Sequence, residues 1–292
     1  MPSRIVRSRM TLATLALSLA LPACFAQAQS KEKTAPPPPP VPGAPGVIET
    51  KIEVVAPEAP PKPSEEVVAL LEKLEKQSKA TQSLQAIVRY DLNQLLQGDE
   101  QTRFGKLIYV AGPPAKFAVH FETLRLGAKA IPNNRWYVFD GQWLVEKLAD
   151  KKQFFKWQVV APDAAPADAD PLGLGRGPFV VPVALRKDLV LKKFKVEIAA
   201  ADAKGDPKNS VHLVLKPLKG QRINFTQIDL WYDKDTLLPQ RARTINASET
   251  ESIIHLSDVK LNTTIEGNPM DTAEPKEAGW EVQITPWEGP GK

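Results

Sequence analysis

Residues 135–157, RWYVFDGQWLVEKLADKKQFFKW, decide the fold class. Trp136 and Val138 alternate with Tyr137 and Phe139, the period-two spacing of a strand and not the 3.6 spacing of a helix. Asp140-Gly141 supplies the residues that a tight hairpin turn demands, and Trp143-Leu144-Val145 resumes as the returning strand. Phe155, Trp157 and Val159 continue the series. Apolar residues stand on both parities, so both sheet faces need a cover. The plain expectation is a helix on one face and a lid on the other. The sharper one is an apolar cavity between sheet and helices, a favoured arrangement at barrel mouths.

The same rhythm extends both ways. Upstream, Phe117, Val119 and Phe121 alternate with Ala118 and His120. Downstream come Val211/Leu213/Leu215, Ile223/Phe225 and Ile228/Leu230/Tyr232, a turn at Asp233-Lys234-Asp235, and strands over 240–247 and 252–262. Before all of these, Ser64 is placed to cap a helix, with Glu65 and Glu66 in the first turn where the dipole favours acids. Val67, Leu71 and Leu74 follow at helical spacing, with Val68 and Leu70 beside them. Residues 161–189, APDAAPADADPLGLGRGPFVVPVALRKDL, break the alternation and predict a flexible loop leading into short lid helices. Residues 64–292 are thus expected to form one α+β, mainly β domain: an incomplete antiparallel β-barrel with an N-terminal helix and short lid helices.

The first residues follow the plan of an export signal. Arg4, Arg7 and Arg9 precede an apolar stretch, Thr11–Ala23, that is too short to cross a bilayer, which takes about 20 residues. Ala26-Gln27-Ala28 is a small-x-small cleavage site, so residues 1–28 are expected to be removed in the periplasm. Leu21-Pro22-Ala23-Cys24 also has the outline of a lipobox, so lipidation of Cys24 and a membrane anchor stay open as the alternative. Residues 29–63 form a proline-rich spacer: 11 of the 28 prolines fall between Lys31 and Pro63. Such a composition builds neither helix nor ladder and is expected to be disordered. Without the three leader arginines the net charge of +4 falls to +1. The lysines are interleaved with acids, which argues against nucleic acid as a partner.

No catalytic constellation assembles. His120, His212 and His255 each lie inside a strand pattern, where histidines are more often core or surface residues than ligands. No G-x-S-x-G elbow, H-E-x-x-H motif or phosphate loop occurs. Gly173 to Gly177 follows a Pro/Ala loop and not a strand, so it provides lid flexibility. No enzyme activity, cofactor or metal is expected, and hydrolysis by unselected carboxylates ranks last.

The order of segments resembles the LolA, LolB and LppX-like envelope proteins, and more nearly their bacterial envelope relatives with proline-rich starts. LEKQSKATQSLQAIVRYD (74–91) is similar to the family's helix followed by a strand, and GKLIYVAGPPAKFAVHF (105–121) to its strand–Pro–strand hairpin. The opening stretch resembles the family's aromatic hairpin, and DLWYDKDTLLPQRARTIN (229–246) with HLSDVKLN (255–262) its paired late strands. The likeness runs over residues 64–287. It departs at Gly112, where LolA carriers proper have an arginine tied to cargo release.

The resemblance implies a non-catalytic carrier that holds acyl lipid or a lipoprotein's acylated end, with a membrane-protein partner for loading or release. Leu71, Leu74, Phe117, Val119, Phe121, Trp136, Val138 and the lid residue Phe179 are the expected lining of its apolar cavity. The protein is expected to be a monomer. The alternative is an envelope interaction protein with the same fold and a filled core.

Overall fold

Ser64 does cap the first helix. Its extended backbone turns the side chain back so that Oγ accepts from Val67 N at 3.2 Å, and α1 runs over Glu65–Ala80. The computed structural model describes residues 62–96, 98–163, 180–200, 204–221 and 223–287. The leader, Cys24 and nearly all of the spacer lie outside the described residues. Val67, Leu71 and Leu74 are the buried stripe of α1, and burying each contributes roughly 1.5–3 kcal/mol.

The strands follow in order: β1 (Ser83–Gln94), β2 (Asp99–Val110), β3 (Lys116–Leu126), β4 (Lys129–Phe139), β5 (Trp143–Leu148) and β6 (Gln153–Gln158). A short helix α2 (Lys187–Lys193) leads into β7 (Phe194–Ile198). Then come β8 (Ser210–Pro217), β9 (Phe225–Asp233), β10 (Pro239–Asn246), β11 (Thr250–Leu261) and β12 (Glu281–Thr285). They form one sheet in the order β12-β6-β5-β4-β3-β2-β1-β11-β10-β9-β8-β7. β12 and β7 remain edges, so the barrel is not closed. Neighbours are antiparallel except β12 with β6, which run parallel.

The non-local pair β1–β11 joins the two halves of the chain, with Leu84 opposite Leu261. Asn262 fastens it just beyond the strand: Gln82 N and Ser83 N both donate to its Oδ1, at 2.7 and 3.2 Å. Gly105 lets β2 and β3 approach where their register shifts between Phe104 and Gly105. A Cβ there would stand 1.9 Å from the His120 carbonyl oxygen, so no side chain fits. Gly141 serves the hairpin turn at φ 109°, and a Cβ would strike the Pro114 ring at 2.2 Å.

Strand alternation divides the side chains between two faces. The inner face carries Leu84, Val88, Leu107, Phe117, Val119, Phe121, Phe139, Leu213, Leu215, Ile228 and Leu230, packed with α1 and with Val180, Val181, Val183, Leu185 and Val190. The segment leading into α2 therefore lies on the same face as α1. That corrects the expectation of a helix on one face and a lid on the other. The outer face has its own small core of Ala118, Val138, Val145 and Phe154, covered by Trp136 and by Met270 and Trp280 of the C-terminal stretch. The C-terminal segment was not anticipated as a cover, although Trp280, Val282 and Ile284 of GWEVQIT alternate with Glu281, Gln283 and Thr285 at strand spacing. Its strand is nearly all exposed and is held by backbone pairing to β6.

Candidate functional site

The eight residues expected to line a cavity do not fall together. Leu71, Leu74, Phe117, Val119 and Phe121 sit in the inner core, each at most 2 % exposed. Val138 is buried on the outer face, and Trp136 is half-buried beside it. There the Trp136 ring stacks on His120 at 4.0 Å, while Lys147 Nζ lies over Trp136 and Trp280 at 5.4 and 5.2 Å. Phe179 is outside the described residues. Trp136 and Val138 share the outer face because Phe117 pairs with Phe139 and Val119 with Tyr137, which puts the odd residues of β4 inward.

A cleft between the end of α1, Pro182-Val183 and the β9–β10 turn, lined by Leu74, Ser78, Tyr232 and Leu238, encloses about 10 Å³. That is about the space one water molecule needs.

The inner face continues past the helix-covered core onto β4, β5 and β6. The register sets Tyr137 opposite Glu146 and Glu146 opposite Phe155, and Phe139 opposite Leu144 and Leu144 opposite Trp157. Phe155 and Trp157 stack with centroids 5.8 Å apart. Tyr137, Leu144, Phe155 and Trp157 are all half-buried, and Val159 and Val160 follow directly from β6. This is an apolar surface, aromatic at one edge, contiguous with the core but not sealed like it.

Its upper rim is polar. Arg103 of β2 and Arg135 of β4 point inward on the parity of Leu107 and Phe139. Arg135 Nη2 pairs with Glu146 Oε1, and its guanidinium lies 5.1 Å from the Tyr137 ring centre. Arg103 Nη2 donates to Gln101 Oε1 at 2.9 Å. Phe121 fills the space between, 5.9 Å from the Tyr90 ring and 6.4 Å from the Tyr137 ring. Burial, and then the nearby Arg135 charge, lower the pKa of the Arg103 guanidinium. Burial raises the Tyr137 hydroxyl well above the ordinary phenol range. Tyr137 therefore stays protonated at neutral pH, and Glu146 is engaged by Arg135. This group can bind charge and apolar surface.

The histidines lie on the outer face. His212 Nε2 meets Asp229 Oδ1 at 3.0 Å, and its ring stacks on Trp231 at 4.2 Å. His255 Nε2 contacts Asp91 Oδ2 at 3.2 Å. Among the described residues no three His, Cys, Asp or Glu side chains converge as a metal site would need.

Neither a known protein family nor a curated protein matches the sequence. Solved structures similar to the chain include LppX, a lipoprotein of Mycobacterium tuberculosis (13 % identity, TM-score 0.39, 70 % of this chain and 99 % of that one). A LolA superfamily protein from Nitrosomonas europaea is similar at 12 % identity and TM-score 0.32, over 68 % of this chain and 94 % of that one. MucB of Pseudomonas aeruginosa in its complex with MucA is similar at 13 % identity and TM-score 0.37, over 71 % of this chain and 61 % of that one.

Arg103, Arg135, Phe155 and Trp157 were not among the residues first expected at a site. A signal for the arginines exists in the sequence: both share the parity of neighbouring core residues, where a charge has no packing role. Assigning that parity needed the register of β2 to β5.

Proposed function

We propose that the protein is a non-catalytic lipid- or lipoprotein-binding carrier of the bacterial envelope, exported to the periplasm by residues 1–28. It holds acyl chains against the inner face of β4–β6. The observation that carries this reading is the half-buried surface of Tyr137, Leu144, Phe155 and Trp157 beside core residues, such as Phe117, Phe121 and Phe139, that are almost wholly buried. Each CH₂ transferred from water to such a surface gains about 0.8 kcal/mol. A chain of a dozen carbons therefore has reason to prefer it without any chemistry. Residues 29–63 act as a spacer, and a membrane protein loads or unloads the monomer. A membrane anchor through Cys24 is the alternative to a freely moving carrier.

Titration with a fluorescent fatty acid tests the proposal. Saturable binding, displaced by unlabelled lipid and weakened by Trp157→Ala, is the expected result. Absence of binding to the wild type would favour a second reading, an envelope interaction protein. The observation behind that alternative is the burial beneath α1 of Leu71, Leu74, Phe117 and Val119, each at most 2 % exposed.

A further inference from the structure

We infer that the rim formed by Arg103 and Arg135 is a binding site for the oxyanion head of an acyl-bearing ligand, a phosphate or carboxylate. This inference rests on the proposed binding of acyl chains along β4–β6 and names the head group that goes with them. Charge is the first reason. Two guanidinium groups point into one partly desolvated region, and the carboxylate within hydrogen-bond distance of either is Glu146, on Arg135. Arg103 donates to the neutral amide of Gln101, and Glu146, the carboxylate whose charge acts on it, is already paired with Arg135. Burial and the neighbouring Arg135 both act against the protonated form of Arg103. An incoming oxyanion removes that penalty and is favoured for the same reason.

Donor geometry is the second reason. The Nε–H groups of Arg103 and Arg135 are both buried and have no acceptor among the described residues. A guanidinium fork with a vacant Nε–H matches two oxygens of a phosphate or carboxylate, which a lysine cannot do. A buried donor left unpaired is costly, so two at one rim, on β2 and β4, are a reason to expect an acceptor.

Position is the third. Arg135 stands two residues from Tyr137 on the same face of β4, and Tyr137 lies opposite Glu146, which lies opposite Phe155. A chain laid along Phe155, Trp157 and Leu144 thus brings its head to the arginines. Tyr137 separates the two regions, with its ring toward the Arg135 guanidinium.

The test compares dodecyl phosphate, the neutral monoacylglycerol of the same chain length, and inorganic phosphate. Each competes with a neutral fluorescent probe, below the amphiphile's micellar concentration, on the full mature chain. Dodecyl phosphate is expected to bind at least about tenfold more tightly than the monoacylglycerol, the worth of one charge-assisted contact. Arg103→Gln is expected to bring that ratio close to one. Arg103→Lys, which keeps the charge but loses the fork and guards against a folding defect, should leave an intermediate ratio. Arg125→Gln, on the outer face over Phe104, should leave it unchanged.

Equal binding of the phosphate and the neutral amphiphile by the wild type would overturn the inference and leave the carrier reading standing. Binding of neither would remove the carrier reading itself. Inorganic phosphate competing as well as dodecyl phosphate would overturn the acyl-bearing source in favour of a free oxyanion.

Discussion

Replacing Phe121 with alanine separates core from site. Phe121 is 1 % exposed, sits opposite Gly105 and Arg135, and touches the Tyr90 and Tyr137 rings at 5.9 and 6.4 Å. Truncation leaves a cavity that the glycine opposite cannot fill, so the cost should be in the range of about 3–5 kcal/mol for a buried Phe. Two lost aromatic contacts move it toward the upper end. In urea the midpoint should fall by roughly 1.5–2 M, since m for a domain of this size is about 2–3 kcal/mol per M. The parallel variant is Trp157→Ala. Its ring is half-buried and outside the sealed core, so it should cost under about 2 kcal/mol of stability while weakening a fatty-acid probe about tenfold. A loss below about 1.5 kcal/mol for Phe121→Ala would refute the packing account. If Trp157→Ala unfolds the protein as Phe121→Ala does and leaves probe affinity intact, β4–β6 is ordinary core.

Three other outcomes are expected. Burial pushes the Asp91 carboxyl up, but hydrogen bonds from His255, Thr102 and Arg89 outweigh it and hold the pKa at about 2. Above pH 4 the carboxylate is charged in both states and its partners stabilise the fold, and that contribution of about 2 kcal/mol is lost as pH falls through about 2. Asp91→Asn should therefore flatten the acid limb of the stability curve between about pH 4 and pH 2, and an unchanged slope would show that the pairing is not made. Gly105→Ala drives a methyl into a backbone carbonyl and should lower the thermal midpoint by about 6–12 °C, from a cost near 3 kcal/mol; a neutral effect would mean β2 and β3 stand further apart. Intact mass of the exported protein should give an N-terminus at Gln29 without lipid, whereas a diacylglycerol adduct on Cys24 would make the protein an anchored one.

Local patterns carried much of the fold. The Ser64 cap, the Val67/Leu71/Leu74 stripe and the Asp140-Gly141 turn each depend on neighbours in sequence, and each stands as expected. The arrangement of faces was less accessible, because a residue's side of the sheet depends on cross-strand register and on the bulge at Phe104/Gly105. Phe117 and Trp136 look equivalent in the sequence and lie on opposite faces of the sheet. The parallel docking of β12 on β6 was also hidden, since a short alternating strand does not say which partner, 120 or more residues away, its backbone pairs with. Arg103 and Arg135 are 32 residues apart in the chain. Only the pairing of β2, β3 and β4 brings them to one rim.

The central claim is that an acyl-bearing molecule occupies the inner face of β4–β6. Native mass spectrometry of the full-length protein, isolated without detergent from the cells that make it, tests this most directly. The expected result is an added mass that fragments to an acyl-bearing anion and is lost in Trp157→Ala. Wild-type protein that carries no added mass, and that takes up none when mixed with dodecyl phosphate, would contradict it.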